Sequence, residues 1–123
     1  ELNISENNPG STTITVSVTD GSSESISDSF VLTIREAENN PPELLAPIED
    51  KELLAGFEKD TIDISGIFSD PDSDMLSYSV TNSDNSVLTA EIGSNQLIIT
   101  EVGTGSSLIS LTAQDGKGGS STD

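Results

Sequence analysis

The sequence predicts an all-β sandwich, and three observations carry that expectation. Apolar and polar residues alternate with period two in four separate segments. Nowhere do apolar residues recur at helical spacing over two turns. A long stretch near the start of the chain returns near its end, complete with an Asp-Gly turn. Composition alone leans the other way, because 32% hydrophobic content with 22 acidic residues against 4 basic ones resembles a disordered chain. Pattern decides, since strict alternation rich in Thr, Val and Ile marks half-buried strands.

Taken in order, Thr12 to Asp20 sets Ile14, Val16 and Val18 against Thr13, Thr15 and Ser17. Ser29 to Glu36 places Phe30, Leu32 and Ile34 on one face. Asp60 to Phe68 carries Ile62 and Ile64 in the same way, and Met75 to Thr81 does so with Leu76, Tyr78 and Val80. Each reads as a strand with one face inward. The four aromatic residues, Phe30, Phe57, Phe68 and Tyr78, are expected in the core.

Residues 1–28 align without a gap onto residues 96–123, at an offset of 95. Leu2, Ile4, Glu6, Gly10, Ser11, Ile14, Asp20, Gly21, Ser25 and Asp28 are identical to Leu97, Ile99, Glu101, Gly105, Ser106, Ile109, Asp115, Gly116, Ser120 and Asp123. Self-similarity at a fixed period means tandem modules. The period is close to the roughly 100 residues of an immunoglobulin-like sandwich. The chain is then out of phase with its own repeat. Residues 1–37 are read as the closing strands of one module: a strand, a long strand, a turn and a final strand. Residues 38–42 (E-N-N-P-P) are a linker, since paired prolines donate no hydrogen bond and favour extended backbone. Residues 43–123 are a second module that lacks the counterpart of Ser29 to Ile34. Rescue of that module by the first within one chain is disfavoured. The two ends of such a sandwich lie about 30–40 Å apart by strand rise, whereas five linker residues span at most roughly 18 Å. Strand exchange between two chains is the expectation instead. Because Glu1 leads straight into strand-like sequence, the chain reads as part of a longer protein.

Charge and composition exclude several functions. With no Cys and no His, thiol or imidazole catalysis and zinc sites built on those ligands are ruled out. A net charge of -18 repels nucleic acid and anionic membranes and favours cations. No apolar run is long enough to insert in a membrane. Asp70, Asp72 and Asp74, at alternate positions of one short loop, repel one another unless neutralised. Ca²⁺, which takes 6–8 oxygen ligands in flexible geometry, would relieve that repulsion. The loop is no EF-hand, because Met75 and Thr81 stand where that motif needs Gly and Glu. Two other readings remain open at this point: Asp, Ser and Pro are ordinary turn formers, and a halophilic surface would carry similar charge.

Three segments resemble cadherin-like repeats. Ser69 to Val80 (S-D-P-D-S-D-M-L-S-Y-S-V) is similar to their carboxylate pair and following strand. Leu111 to Gly116 (L-T-A-Q-D-G) is similar to the segment in which an Asp follows a long strand, and the linker with Asn39, Asn40 and Pro42 is similar to the inter-repeat motif. Together they resemble bacterial cadherin-like and dystroglycan-type cadherin-like repeats of large secreted or surface proteins. The resemblance implies a Greek-key sandwich of the immunoglobulin and cadherin type. It also implies a Ca²⁺ site at the junction of modules, formed by Asp70, Asp72, Asp115, Asn39 and Asn40, with Glu36 from the preceding module and Asp74 in addition. Asn stands where such linkers carry more Asp, which implies fewer or weaker ions.

The functional expectation is a non-enzymatic, extracellular, Ca²⁺-binding module for adhesion or rigid spacing. Its partners would be neighbouring repeats and a homophilic protein or polysaccharide ligand, with a strand-exchanged homo-oligomer for this stretch of chain. The alternative is a carbohydrate-binding accessory module of an exported polysaccharide-degrading enzyme. That reading lacks the exposed aromatic platforms that sugar rings prefer, because the chain has no Trp and one Tyr.

Overall fold

A computed structural model describes residues 2–5 and 8–123, and it is all-β, with ten strands and no helix among the described residues. The chain divides into two compact units, Glu1–Glu38 and Asn39–Asp123.

The first unit is a long hairpin. Strand β1 (Gly10–Thr19) pairs antiparallel with β2 (Ser25–Ile34) in unbroken register from Gly10↔Ile34 to Thr19↔Ser25. Strand β2 starts four residues before the expected Ser29, because the Asp20 carboxylate confines the turn. It accepts the backbone N–H of Ser22 (2.8 Å) and of Glu24 (3.0 Å). Ile14 faces Phe30 and Val18 faces Ile26, so the alternation places the apolar residues on one face. That face is largely open, with Val18 65%, Ile26 73% and Phe30 42% exposed. The expectation that Phe30 lies in a core is therefore wrong. A two-stranded ribbon has no layer to bury it against. Leu2 to Ser5 likewise form no strand, and Leu2 and Ile4 are exposed. Glu6 of the repeat lies outside the described residues.

The second unit is a sandwich. One sheet has the order β4 (Lys59–Asp63), β8 (Gln96–Glu101), β7 (Leu88–Gly93). The other has the order β10 (Ser120–Thr122), β9 (Ile109–Gln114), β6 (Ser77–Asn82). A short pair, β3 (Glu43–Leu44) with β5 (Phe68–Ser69), flanks them. Ile64, Leu97, Ile99, Leu111 and Ala113 meet between the sheets, joined by Ile67 and Phe68. The Phe68 ring lies against Tyr78 at 6.2 Å between centroids, and Phe57 packs half-buried on the same cluster. The expected strand from Asp60 to Phe68 breaks after Asp63, whose carboxylate takes the Ser65 N–H (2.9 Å). The turn that follows drops Ile64 into the core at 0% exposure. Ser94 and Asn95, both with positive φ, close β7 onto β8 in a two-residue hairpin.

Candidate metal centre

Two loops and the linker build the acidic site. In Ser69–Asp74, Asp70 turns its carboxylate back on its own backbone, and its Oδ1 accepts the N–H of Asp72 (2.8 Å) and of Asp74 (3.1 Å). This folds the loop so that Asp70, Asp72 and Asp74 converge, each offering an oxygen within 4.8 Å of the others. Carboxylate oxygens that share one Ca²⁺ lie no more than about 5 Å apart, given Ca–O distances of 2.3–2.6 Å. The acidic cluster is thus able to hold a metal ion.

Depth varies within the cluster. Asp70 is 9% exposed, Asp74 is half-buried and Asp72 is exposed. Asp70 Oδ2 and Asp74 Oδ2 are buried with no hydrogen-bond partner among the described residues. A carboxylate oxygen removed from water without a donor is costly, and a cation would remove that cost.

The second loop follows β9. Asp115 is 5% exposed, and its Oδ1 accepts the N–H of Lys117 (2.7 Å) and of Gly119 (2.9 Å). The same spacing recurs three times, since Asp20, Asp70 and Asp115 each accept the N–H two and four residues on. In each loop the residue three positions on (Ser23, Ser73, Gly118) has positive φ. The Asp-Gly segments are therefore five-residue side-chain-closed turns rather than tight two-residue ones.

The linker joins both loops. Asn39 Nδ2 donates to Asp115 Oδ2 (2.8 Å), while Asn40 donates to Asp72 from its backbone N–H (2.6 Å) and its Nδ2 (3.1 Å). A methyl group on Gly119 would come within 2.7 Å of the Pro41 backbone, so a glycine is needed where the linker lies against the loop. Hydrogen bonding by Asn40 lowers the Asp72 carboxyl below the usual 3.8. The Asn39 amide lowers that of Asp115, against burial and with help from the loop N–H groups.

Of the expected site residues, Asn39, Asn40, Asp70, Asp72, Asp74 and Asp115 form one connected hydrogen-bonded network. Asn39 and Asn40 face the carboxylates with their amino groups, so in this arrangement they donate hydrogen bonds to acids. Glu36 belongs to the first unit and is exposed there. Sequence reasoning missed Lys117. Its ammonium pairs with Asp74 Oδ1 (2.8 Å), which raises its pKa above the usual 10.5. One of only 4 basic residues placed two positions after a loop Asp was the available signal. Glu101 accepts the N–H of Gly56 (2.8 Å) and staples a distant loop.

No protein-family model matches the chain, and no curated protein or solved structure matches it. The fold and site define an all-β protein with an acidic loop cluster able to hold a metal ion.

Proposed function

We propose that this chain is a Ca²⁺-binding, cadherin-like module of a secreted or cell-surface protein, serving as an adhesive unit or a rigid spacer without catalytic activity. One observation carries the reading. Asn39 and Asn40, the first residues of the second unit, are hydrogen-bonded to the carboxylates of the acidic network. An ion held by Asp70, Asp72 and Asp74 would sit beside the first residues of the second unit, and would couple cation binding to the order of Asn39 and Asn40. Hard oxygen donors without His or Cys favour Ca²⁺ over softer metals. Lys117 neutralises one of the acids and the two Asn amides donate hydrogen bonds to two others, and the ion would compete with them. Turning either amide over would bring its carbonyl oxygen to the same carboxylates. A sugar platform finds less support, because Tyr78, the single Tyr, packs half-buried beside Phe68.

A thermal melt in chelator, in Ca²⁺ and in matched ionic strength of Mg²⁺ and Na⁺ tests the proposal. Ca²⁺ should raise Tm selectively, and Asp70→Ala or Asp72→Ala should abolish the rise. Equal rises with every salt would mean screening of the net charge and would overturn the site.

A further inference from the structure

We propose that the outer edge of β6 is a pairing edge, and that its occupant is the same edge of a second copy of this chain, joined antiparallel about Ser79. Among the described residues β6 has one strand neighbour, β9, and it lies on the far side of its sheet from β10. What flanks its other side is fixed by internal chain, because a turn at residues 83–87 carries the backbone over to β7 in the opposite sheet. The Ser83 N–H donates to the Leu108 C=O (2.9 Å), its partner in the continued register. Antiparallel ladders alternate. Ser77, Ser79 and Thr81 therefore bond to β9, whereas the N–H and C=O of Tyr78 and Val80 turn to the open side.

Strands β4, β6 and β7 each leave one edge without a strand neighbour among the described residues, and they differ in how that edge is guarded. Strand β4 carries Lys59, Asp60 and Asp63, and β7 carries Glu91. Charges of this kind keep sheet edges from pairing. Strand β6 has no such guard. From Met75 to Ser83 there is no charge, no proline and no glycine, in a chain with 22 acidic residues. An unguarded edge is a ready template for another strand, held by main-chain bonds.

The charge pattern selects the occupant and its register. The uncharged stretch is centred on Ser79, with Asp74 and Asp84 at its two ends. Aligned antiparallel about Ser79, two such stretches set every residue from Met75 to Ser83 against an uncharged one. A shift along the strand brings Asp74 or Asp84 against the uncharged stretch instead. In the centred register Tyr78 and Val80 of the two copies face each other and exchange main-chain bonds, and an aromatic residue opposite a β-branched one is a favourable pair. Ser77 meets Thr81 and Ser79 meets Ser79, so the row Thr122, Thr112, Ser79 on the outer face continues across the join. The Thr112 and Thr122 hydroxyls already bond within that row (2.9 Å). Such a self-matching surface is what a two-fold dimer needs. Asp74 meets Asp84 only at the ends of the pairing, where Lys117 supplies Asp74 with a counter-charge (2.8 Å).

The test is sedimentation of the whole chain in chelator, which separates it from the metal reading, at high salt, where repulsion between copies of charge -18 is screened. A concentration-dependent shift from monomer to dimer is expected. Ser79→Asp, which sets two carboxylates face to face at an exposed position, should return the chain to monomer with an unchanged circular-dichroism melt. The chain has no Cys, so single-thiol variants map the register. Residues opposed in a non-hydrogen-bonded pair lie about 4.5 Å apart at Cα, within disulfide reach. Under mild oxidation Ser79→Cys should link to itself, Ser77→Cys and Thr81→Cys should each stay unlinked, and a mixture of those two should link. A monomer at every concentration, a dimer that survives Ser79→Asp, or equal linking at all three positions would each overturn the proposal.

Discussion

The β1–β2 hairpin and the β9–β10 hairpin share sequence at an offset of 95, and they share a turn, yet their surroundings differ. Asp20 and Asp115 close their loops with the same two backbone bonds. Around them, Val16 is 51% exposed and its counterpart Leu111 is 1% exposed; Val18 at 65% stands against Ala113 at 0%. Leu2 and Ile4, at 57% and 51%, correspond to Leu97 and Ile99 at 1% and 6%. The turn depends on residues within five positions of one another and forms in either setting. Burial depends on partner strands far away in the chain: β8 lies between β4 and β7, and β9 faces that sheet with β6 beside it. Local chemistry thus travels with the repeat, whereas burial is set by the strands that cover each hairpin.

The largest effect should come from matched core truncations. Leu111→Ala removes a fully buried side chain from between the sheets and should cost about 2–5 kcal/mol. Val16→Ala, at the equivalent exposed position, should stay within ~0.5 kcal/mol. Chemical denaturation monitored by circular dichroism distinguishes them, and equal losses would mean that the first unit is packed as firmly as the second.

Gly119→Ala comes next. Its added methyl meets the Asp115 carboxylate that holds Asn39 and, next, the Pro41 backbone, and overpacking of this kind costs ~1–3 kcal/mol. Glu24→Ala, at the equivalent position in the exposed hairpin, should change little. The amide resonances of Asn39 and Asn40 would show whether the linker leaves its place, and an unmoved linker in Gly119→Ala would break the assigned fit.

These comparisons bear on what the sequence makes legible. Alternation marks β1, β2, β4 and β6 because each carries branched apolar residues on one face. Strand β7 is less legible, although Leu88, Ala90 and Ile92 alternate, because Ala is a weak strand signal. The acid loop was readable from three Asp at alternate positions, and its closing bonds follow from Asp side chains capping local N–H groups. What could not be read was depth. The burial of Asp115, the salt bridge from Lys117 to Asp74 and the exposure of Phe30 all depend on which segments lie over them. An alternating strand looks the same in sequence whether or not a second sheet covers it.

Acid should weaken the second unit by a smaller margin. Asp72 and Asp115 have carboxyl pKa values held below 3.8 in the folded unit by Asn40 and Asn39. A depressed folded pKa gives stability that is present above the unfolded value and lost as pH falls through the folded one. Stability from these two groups should therefore be intact above about pH 4 and decline below it. The Asn40 amide should report release of the linker in that range, and Asn40→Ala should reduce the part of the decline due to Asp72 only by the side-chain share, because the backbone N–H at that position still donates to Asp72. A linker that detaches well above pH 4 would mean that something other than these carboxylates holds it.

The smallest effect on stability, and the sharpest on ion binding, should come from Lys117→Met. The ammonium's folded pKa is raised above 10.5 by its bond to Asp74. A raised folded pKa gives stability that is full below the unfolded value and lost as pH rises through the folded one. Wild-type protein should thus lose this contribution only above about pH 10.5, and the variant should lack that alkaline limb. At neutral pH without Ca²⁺ the variant should melt slightly lower, because Asp74 loses its counter-charge while Asp70 and Asp72 remain beside it. With Ca²⁺ the order should reverse: the ion no longer competes with a tethered cation, so the Ca²⁺-induced rise in Tm should be larger than in wild type. Ser22, the counterpart of Lys117 in the β1–β2 hairpin, has no acid cluster beside it among the described residues of its unit, and Ser22→Lys should leave the Ca²⁺ response unchanged. A Lys117→Met variant whose Ca²⁺ response matches wild type would place the ion away from Asp74.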